Sequence, residues 1–453
     1  MDFFKAARFL IYLIPLGIVI VTPSTLFPFI VGKYVWFRTL SALALIFFLI
    51  GITRDREGSV YLKRLKELVR SPLAIAVTAF TTLYVLAGFT GIDPHLSFWS
   101  NFERGEGGLQ ILHLWVFFIL SVTLLRTPKE WLALLKTSVA GAVLMILYGI
   151  GAGLNYAGIA EFKNFIGVPF GERFQGSVGN SAYVAVYLLF GAFFTALLIR
   201  AEKIKKKKWF LAGIVALCAV FFVLAATRGA MVGLVLGLCF TLVFIAVRAK
   251  QWRKWVVGTF IVLAVLLGTL YMLKGTPAVQ KLPFARLLDI SFSATTFRHR
   301  LAAWDIAWKG FLERPVLGWG PGNYIHLFSR IHHPAFFDVE SGNYGAWFDR
   351  AHSIFFDYLA ESGAVGLTAF ISIFAALGWR IWRAPKEESA GGARLPERQE
   401  SSDTGVRALA LGVMVAYLIQ GLVLFNVLAI YLPLITFLAW NESRFNRKLS
   451  VNT

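Results

Sequence analysis

The stretch Arg350-Ala-His352-Ser-Ile-Phe-Phe-Asp-Tyr-Leu359-Ala-Glu361-Ser-Gly363-Ala-Val-Gly366 sets one histidine at the mouth of a long apolar segment, directly after the only long polar loop in the chain. Histidine takes or gives a proton near neutral pH, so such a residue at a membrane edge is a candidate general base. Cations gather in the same part of the chain: Arg298 and Arg300 in the polar loop, and Lys33, Arg104 and Arg228 in short polar breaks between apolar runs. A guanidinium binds phosphate oxygens bidentately and stays charged at working pH. A diphosphate leaving group needs its developing charge neutralised by a divalent cation or by arginine. The chain offers no outward-facing Asp-x-Asp pair and no His/Asp/Glu grouping spaced as a metal site. Arginines plus one histidine therefore suit displacement of a diphosphate, with no metal and no cofactor expected.

The elements that position these groups must sit in lipid. Hydrophobic residues make up 57% of the 453 residues and charged residues 15%, with a mean hydropathy of +0.67, which excludes a soluble enzyme on a single anchor. About twelve apolar runs are long enough to approach or cross a bilayer. They lie near Phe9–Thr22, Tyr34–Ile52, Leu73–Gly91, Leu109–Leu125, Trp131–Leu154, Ser181–Ile199, Trp209–Thr227, Ala230–Val247, Trp255–Leu273, Ile354–Trp382, Val406–Leu424 and Leu428–Trp440. The pattern predicts an all-α polytopic membrane protein: spans over 1–273, a loop domain over 274–351, and spans over 352–453 with a flexible linker at 383–405.

Charge sets the expected orientation. With a cytoplasmic N-terminus, 29 Lys and Arg fall on the inner connections and five on the short outer ones, the asymmetry of the positive-inside rule. Both termini are thus expected in the cytoplasm. The net charge of +20 then reads as a topology signal and an attraction to anionic membrane lipid, not as a nucleic-acid surface. The first apolar run lacks a small-residue cleavage site, so no cleaved signal peptide is expected. Cys218 and Cys239 fall inside predicted spans and read as free thiols. The Ser59–Arg70 stretch alternates apolar and basic residues at helical spacing, predicting an interfacial amphipathic helix that anchors its loop.

The outer loop from Lys274 to Arg350 runs to about 75 residues, where ordinary connections stay under about 15. It carries Arg298-His-Arg300-Leu-Ala-Ala-Trp304, with Arg300 and Trp304 one helical turn apart. A Gly/Pro turn follows, Pro315-Val-Leu-Gly318-Trp-Gly320-Pro321-Gly322-Asn323-Tyr324, whose small residues let the backbone pass close to a neighbour.

His352 followed by Leu-x-Glu-x-Gly-x-x-Gly, and Arg-Leu-x-x-Trp followed by Pro-x-x-Gly-x-Gly-Pro-Gly-Asn-Tyr, resemble the O-antigen ligase/polymerase superfamily. Pro28–Lys33, Ser97–Arg104, Val178–Tyr183 and Ala226-Thr227-Arg228-Gly229 agree in the same order along the chain. Two positions depart from the pattern: Ser353 stands where Asn is frequent, and Ala226-Thr227 where Gly-Ser is common.

The resemblance implies a GT-C-like, inverting, metal-independent glycosyltransferase of the bacterial inner membrane, with its active site facing the periplasm. It would move a preassembled glycan from undecaprenyl diphosphate to an acceptor hydroxyl. The favoured acceptor is the lipid A–core oligosaccharide, which makes an O-antigen ligase; a polymerase or a protein O-oligosaccharyltransferase shares the chemistry. His352, Arg228 and Arg300 are the expected catalytic residues. Lys33, Arg38, Arg104, Arg298, Trp304, Asn323 and Asp349 are the expected contacts to diphosphate or glycan.

Each has a blander role open to it. His352 could be a structural histidine at a helix start, Arg228 could snorkel, and Arg300 could pair with Asp289 or Asp305. Lys33 and Arg104 could anchor at the interface, as could Arg38. Glu361, nine residues on, faces away from His352 on a straight helix, so Asp349 is the better placed residue to orient the imidazole. His332-His333-Pro334 lacks the further ligands of a metal site. A transporter of the same lipid-linked glycan is the reading from another class; it predicts two repeat-related halves, and no internal repeat is evident.

Overall fold

A computed structural model of the chain describes residues 2–101, 103–280, 295–331, 333–338, 343–344, 347–383 and 397–445. Asp289 and His332 lie outside them. Among the described residues the fold is all-α apart from a two-residue antiparallel pair, Phe337–Asp338 with Asn343–Tyr344. Its helices are α1 (Phe3–Leu13), α2 (Val31–Arg54), α3 (Gly58–Leu68), α4 (Pro72–Phe89), α5 (Pro94–Trp99), α6 (Gly108–Leu124), α7 (Pro128–Tyr156) and α8 (Ser181–Ala201). They continue with α9 (Lys205–Leu224), α10 (Arg228–Arg248), α11 (Arg253–Met272), α12 (Pro277–Gln280), α13 (Thr295–Glu313), α14 (Tyr324–Arg330), α15 (Ile354–Arg383), α16 (Glu397–Gly421) and α17 (Leu428–Phe445). Among the described residues nine helices are long and apolar enough to cross a membrane.

The first expected span is broken. α1 stops at Leu13 and a 3-10 turn, Ile14–Val19, takes over, because Pro15 has no N–H and its ring crowds the carbonyl one turn back. The last span is enclosed by the other helices along nearly its whole length. From Leu428 to Glu442 every residue of α17 is buried, and Glu442 is held by Arg380 of α15. α3 is more than an interfacial anchor: Tyr61 and Leu68 are fully buried, and the Arg64 guanidinium donates to the carbonyls of Val122 (3.0 Å) and Leu125 (3.2 Å) at the end of α6. Those carbonyls have no partner within their own helix, so a charged donor satisfies them. The stretch read as a linker is partly helical, since α16 begins at Glu397.

α10 packs on α16 through small residues. A Cβ at Gly233 would lie 2.6 Å from the Ala416 carbonyl oxygen, and Thr241 donates to the Ala408 carbonyl at 3.1 Å. Close backbone approach through small-xxx-small stripes and hydroxyl bonds is how helices associate in lipid.

One docking event positions the site. α15 breaks at Gly363 (φ 65°, ψ −168°), a conformation that a side chain resists. The carbonyls of Ala360 and Glu361 are freed there and accept the N–H groups of Trp319 and Gly320, both at 2.9 Å; Ala364 N–H donates to Pro315 at 2.9 Å. The Glu361 carboxylate also accepts the Gly322 N–H at 2.9 Å. The outer loop is thus latched by backbone bonds to the helix that follows His352, and Glu361 serves this joint.

Candidate active site

A cavity of about 550 Å³ opens where the starts of α2 and α8, the break before α6, the α16–α17 link and α13 meet. Lys33, Arg104, Arg173, Arg300, Glu106 and His352 all line it. Four of the ten residues singled out from sequence therefore share one chamber, drawn from positions as distant as 33 and 352.

His352 is held from several sides. Its φ of 58° is an uncommon value for a residue with a side chain, a kind of strain that clusters at functional sites. Phe348 and Phe425 meet its ring edge to face, at 4.8 and 5.1 Å. Nδ1 lies 3.0 Å from the Arg350 carbonyl oxygen. A carbonyl can only accept, so Nδ1 carries the proton and Nε2 keeps the basic lone pair. Burial pushes the imidazole below its usual range, and the positive charge of Arg300 adds to the effect against the opposing pull of the Arg350 carbonyl. Both the burial and the nearby charge favour the neutral ring.

Asp349 does not orient His352 by a hydrogen bond. Both its carboxylate oxygens accept from Arg104, at 2.8 and 3.0 Å. Burial alone would raise the Asp349 carboxyl, but these bonds outweigh it and keep it below the usual range. Burial opposes the Arg104 charge in the same way, and Asp349 prevails, raising Arg104 further. Arg104 also lies 4.8 Å over the Phe425 ring. Phe425 is the hub of this wall, touching Arg104, Arg350, His352 and Tyr183.

The cationic wall is built around Arg300. Burial lowers its pKa and Arg173 adds repulsion; two guanidinium groups near each other in a partly dry chamber favour an anion between them. Arg173 reaches back to the turn before α10, donating at 3.5 Å to the Ala225 carbonyl and at 3.5 Å to the Thr227 hydroxyl. In that turn Ala226 has φ 46°, at the position where the resembled family commonly carries glycine. Arg228 itself is exposed at the start of α10 and is not among the cavity-lining residues. Lys33 is buried and its ammonium donates to the carbonyls of Ile20 (2.6 Å) and Ser177 (2.7 Å), leaving one proton of three for the chamber.

Four further candidates stand outside. Arg38 bonds Gln110 (2.7 Å) and the Gly105 carbonyl, so it shapes the break before α6. Arg298 is exposed on α13. Trp304 stacks on Phe356 (centroids 5.2 Å apart, 13° between planes). Asn323 is fully buried and donates to Ser97 (3.0 Å) and Trp319 (2.9 Å), tying the glycine turn to α5. His333 lies 3.9 Å from Asp305 and accepts the Ala335 N–H; no group of three or more metal-ligating side chains occurs among the described residues.

Sequence reasoning passed over Glu106, Arg350 and the part played by Arg173. Arg350 is buried between two acids, 3.6 Å from Glu106 and 3.7 Å from Glu361. Glu106 accepts the Leu428 N–H at 3.0 Å, and burial raises its pKa to about 7 against the pull of Arg350. Its signal was there to find: an acid two residues after Arg104, inside a polar break flanked by glycines.

A second cavity of about 460 Å³ adjoins the first, sharing Arg173 and Gln175, and is otherwise largely apolar, with Phe170, Phe174, Phe221 and Leu224 on its walls. The pair of chambers gives a polar room with a base and cations beside an oily one.

A family model for O-antigen ligase matches residues 213–371, which take in Arg228, Arg300 and His352. No curated protein matches the chain. The family match supports a glycosyl-transfer enzyme of ligase or polymerase type that acts on a lipid-linked glycan and an acceptor. Over those residues, about a third of the chain, the protein is similar to the O-antigen ligase family.

Proposed function

We propose that the protein is an O-antigen ligase of the bacterial inner membrane, with the chamber open to the periplasm and both termini cytoplasmic. It transfers a preassembled glycan from undecaprenyl diphosphate to a hydroxyl of the lipid A–core acceptor, inverting the anomeric centre. The parts divide as spans 1–273, the loop domain 274–351 and spans 352–453. The observation that carries this reading is that His352, with Nδ1 on the Arg350 carbonyl, lines one cavity with Arg300, Arg173 and Lys33.

In the reaction the acceptor oxygen attacks the anomeric carbon while its proton passes to His352 Nε2, and the bond from that carbon to the diphosphate oxygen breaks. The departing diphosphate carries the electron pair toward Arg300 and Arg173, with Arg228 at the start of α10 as a third cation. The apolar chamber beyond Arg173 suits the first isoprene units of the donor, which lets the tail remain in lipid. Arginine in place of a divalent cation makes transfer independent of added metal.

The deciding experiment is transfer by the purified protein from a lipid-linked glycan to three acceptors side by side: lipid A–core, a free repeat unit and a Ser/Thr peptide. Product on lipid A–core alone is expected. Product on the repeat unit or peptide instead would reassign the acceptor within the same chemistry, and no product on any acceptor, with intact donor binding, would favour a carrier.

A further inference from the structure

At the other end of α8 from the chamber lies a groove of about 900 Å³ between α7, the end of α8 and α9. Its walls are apolar, formed by Val139, Val143, Leu198, Leu211, Ile214 and Leu217. Its polar side chains, Lys136, Glu202 and Lys207, are confined to one end. Helix geometry gives the groove its length. Lys136 and Leu144 are both on its wall and eight residues apart on α7, about 12 Å at 1.5 Å per residue; Lys207 and Leu217 are ten apart on α9, about 15 Å. That depth is about half of a ~30 Å hydrocarbon core, so the groove spans one leaflet.

We infer that this groove is a binding site for a diacyl anionic phospholipid, its acyl chains along α7 and α9 and its phosphate on Lys136 and Lys207. A transmembrane segment would need a face running through both leaflets, whereas a phospholipid needs one leaflet and one charged end. The charge fits an anion. Glu202 is the one carboxylate there, and its Oε1 already accepts the N–H groups of Lys203 and Ile204, at 2.9 and 3.0 Å. Around it, Lys203, Lys205, Lys206 and Lys208 add four ammonium groups to those of Lys136 and Lys207. Phe210, which lines the groove, and neighbouring Trp209 are each 70% exposed at this end, and an amphipathic tryptophan ring settles at a headgroup boundary. Basic pockets between membrane helices are suited to anionic headgroups.

The test uses the intact protein in neutral detergent or phosphatidylcholine nanodiscs, titrated with fluorescent phosphatidylglycerol and, separately, with fluorescent phosphatidylcholine. Wild type should prefer phosphatidylglycerol. Lys136→Gln with Lys207→Gln should weaken that lipid about thirtyfold, at about one kcal/mol per lysine, and leave phosphatidylcholine unchanged. Lys136→Glu with Lys207→Glu should abolish the preference; if that variant does not fold, the Gln pair decides. Leu144→Trp, which fills the groove, should weaken both lipids. Equal affinity of the Gln pair and wild type for phosphatidylglycerol would overturn the assignment. So would full competition by glycerol phosphate, which marks a bare phosphate site. A dimer dissociated by Leu144→Trp with lipid binding intact would give the groove to a second copy. Glycan transfer is expected to survive in all these variants, so this inference stands or falls apart from the proposed reaction.

Discussion

Asp349 and Arg104, 245 residues apart, are joined by a two-pronged ion pair of 2.8 and 3.0 Å. The carboxylate next to the His352 turn is thereby committed to the polar break before α6, and not to the imidazole three residues on. The pair is largely buried, so removing one partner strands the other. Asp349→Leu or Arg104→Met alone should destabilise the protein by about 3–5 kcal/mol, while the two together should recover most of that loss. Thermal unfolding of the two single variants and the double variant measures the coupling. Additive losses would mean the pair stabilises nothing as a unit.

Arg300 and Arg173 should act together on the leaving group. Arg300→Ala is expected to cost about 10²–10³ in transfer, as loss of a transition-state charge partner typically does, with Arg173→Ala in the same direction. Lysine should rescue poorly, since it lacks the planar fork. Arg228→Ala probes whether the exposed third cation closes over bound donor. Transfer should be unchanged in EDTA; loss on chelation, restored by magnesium, would show that charge is neutralised by a metal instead.

The break before Arg228 offers a stability prediction. Ala226 holds φ 46°, where a Cβ costs about 1–3 kcal/mol and glycine costs nothing steric. Ala226→Gly should therefore raise the midpoint of thermal unfolding and keep transfer intact. A lower midpoint would mean that the turn gains more from the methyl group, buried or not, than it loses in strain.

Much of this was readable in advance because lipid constrains sequence so tightly. Apolar runs near 20 residues placed the helices, and His352, Lys33 and Arg104 were legible as polar residues at the edges of those runs, with Arg300 in the long polar loop. What escaped has a common physical origin. The pairing of Asp349 with Arg104, the docking of Gly320 and Gly322 on Glu361, and the burial of Glu106 are contacts between segments far apart in sequence, which no local spacing encodes. Arg38 and Asn323 carried the right chemistry for a ligand but spend their donors on the protein's own carbonyls and side chains. The break of α1 at Pro15 was written in one residue and masked by the hydrophobicity around it.

Glu106 makes stability depend on pH with a definite sign. Its pKa is raised from 4.5 to about 7 in the folded protein, so folding favours the protonated form. That contribution is fully present below the unfolded value and is lost as pH rises through about 7. Glu106→Gln keeps an oxygen to accept the Leu428 N–H and cannot ionise. It should unfold at a higher temperature than wild type at pH 8, and the gap should shrink by pH 5. A gap that grows toward acid would show that Glu106 is held ionised by Arg350.

The base is the sharpest test. An acceptor hydroxyl attacks poorly unless its proton is taken as the bond forms, and His352 Nε2 is the basic nitrogen that the Arg350 carbonyl leaves available in the chamber. His352→Ala should lower transfer by about 10²–10⁴; retention of more than a few per cent would move the base elsewhere. The pH profile separates a base from a positioning role. Burial, with help from Arg300, depresses the His352 pKa below its usual range, so the neutral, active form should persist through neutral pH, with the acid limb falling below about 6.5. Arg300→Gln removes one of the depressing charges, so on the residual activity the acid limb should move to higher pH. An acid limb that stays put in Arg300→Gln would mean that the titrating group is not His352.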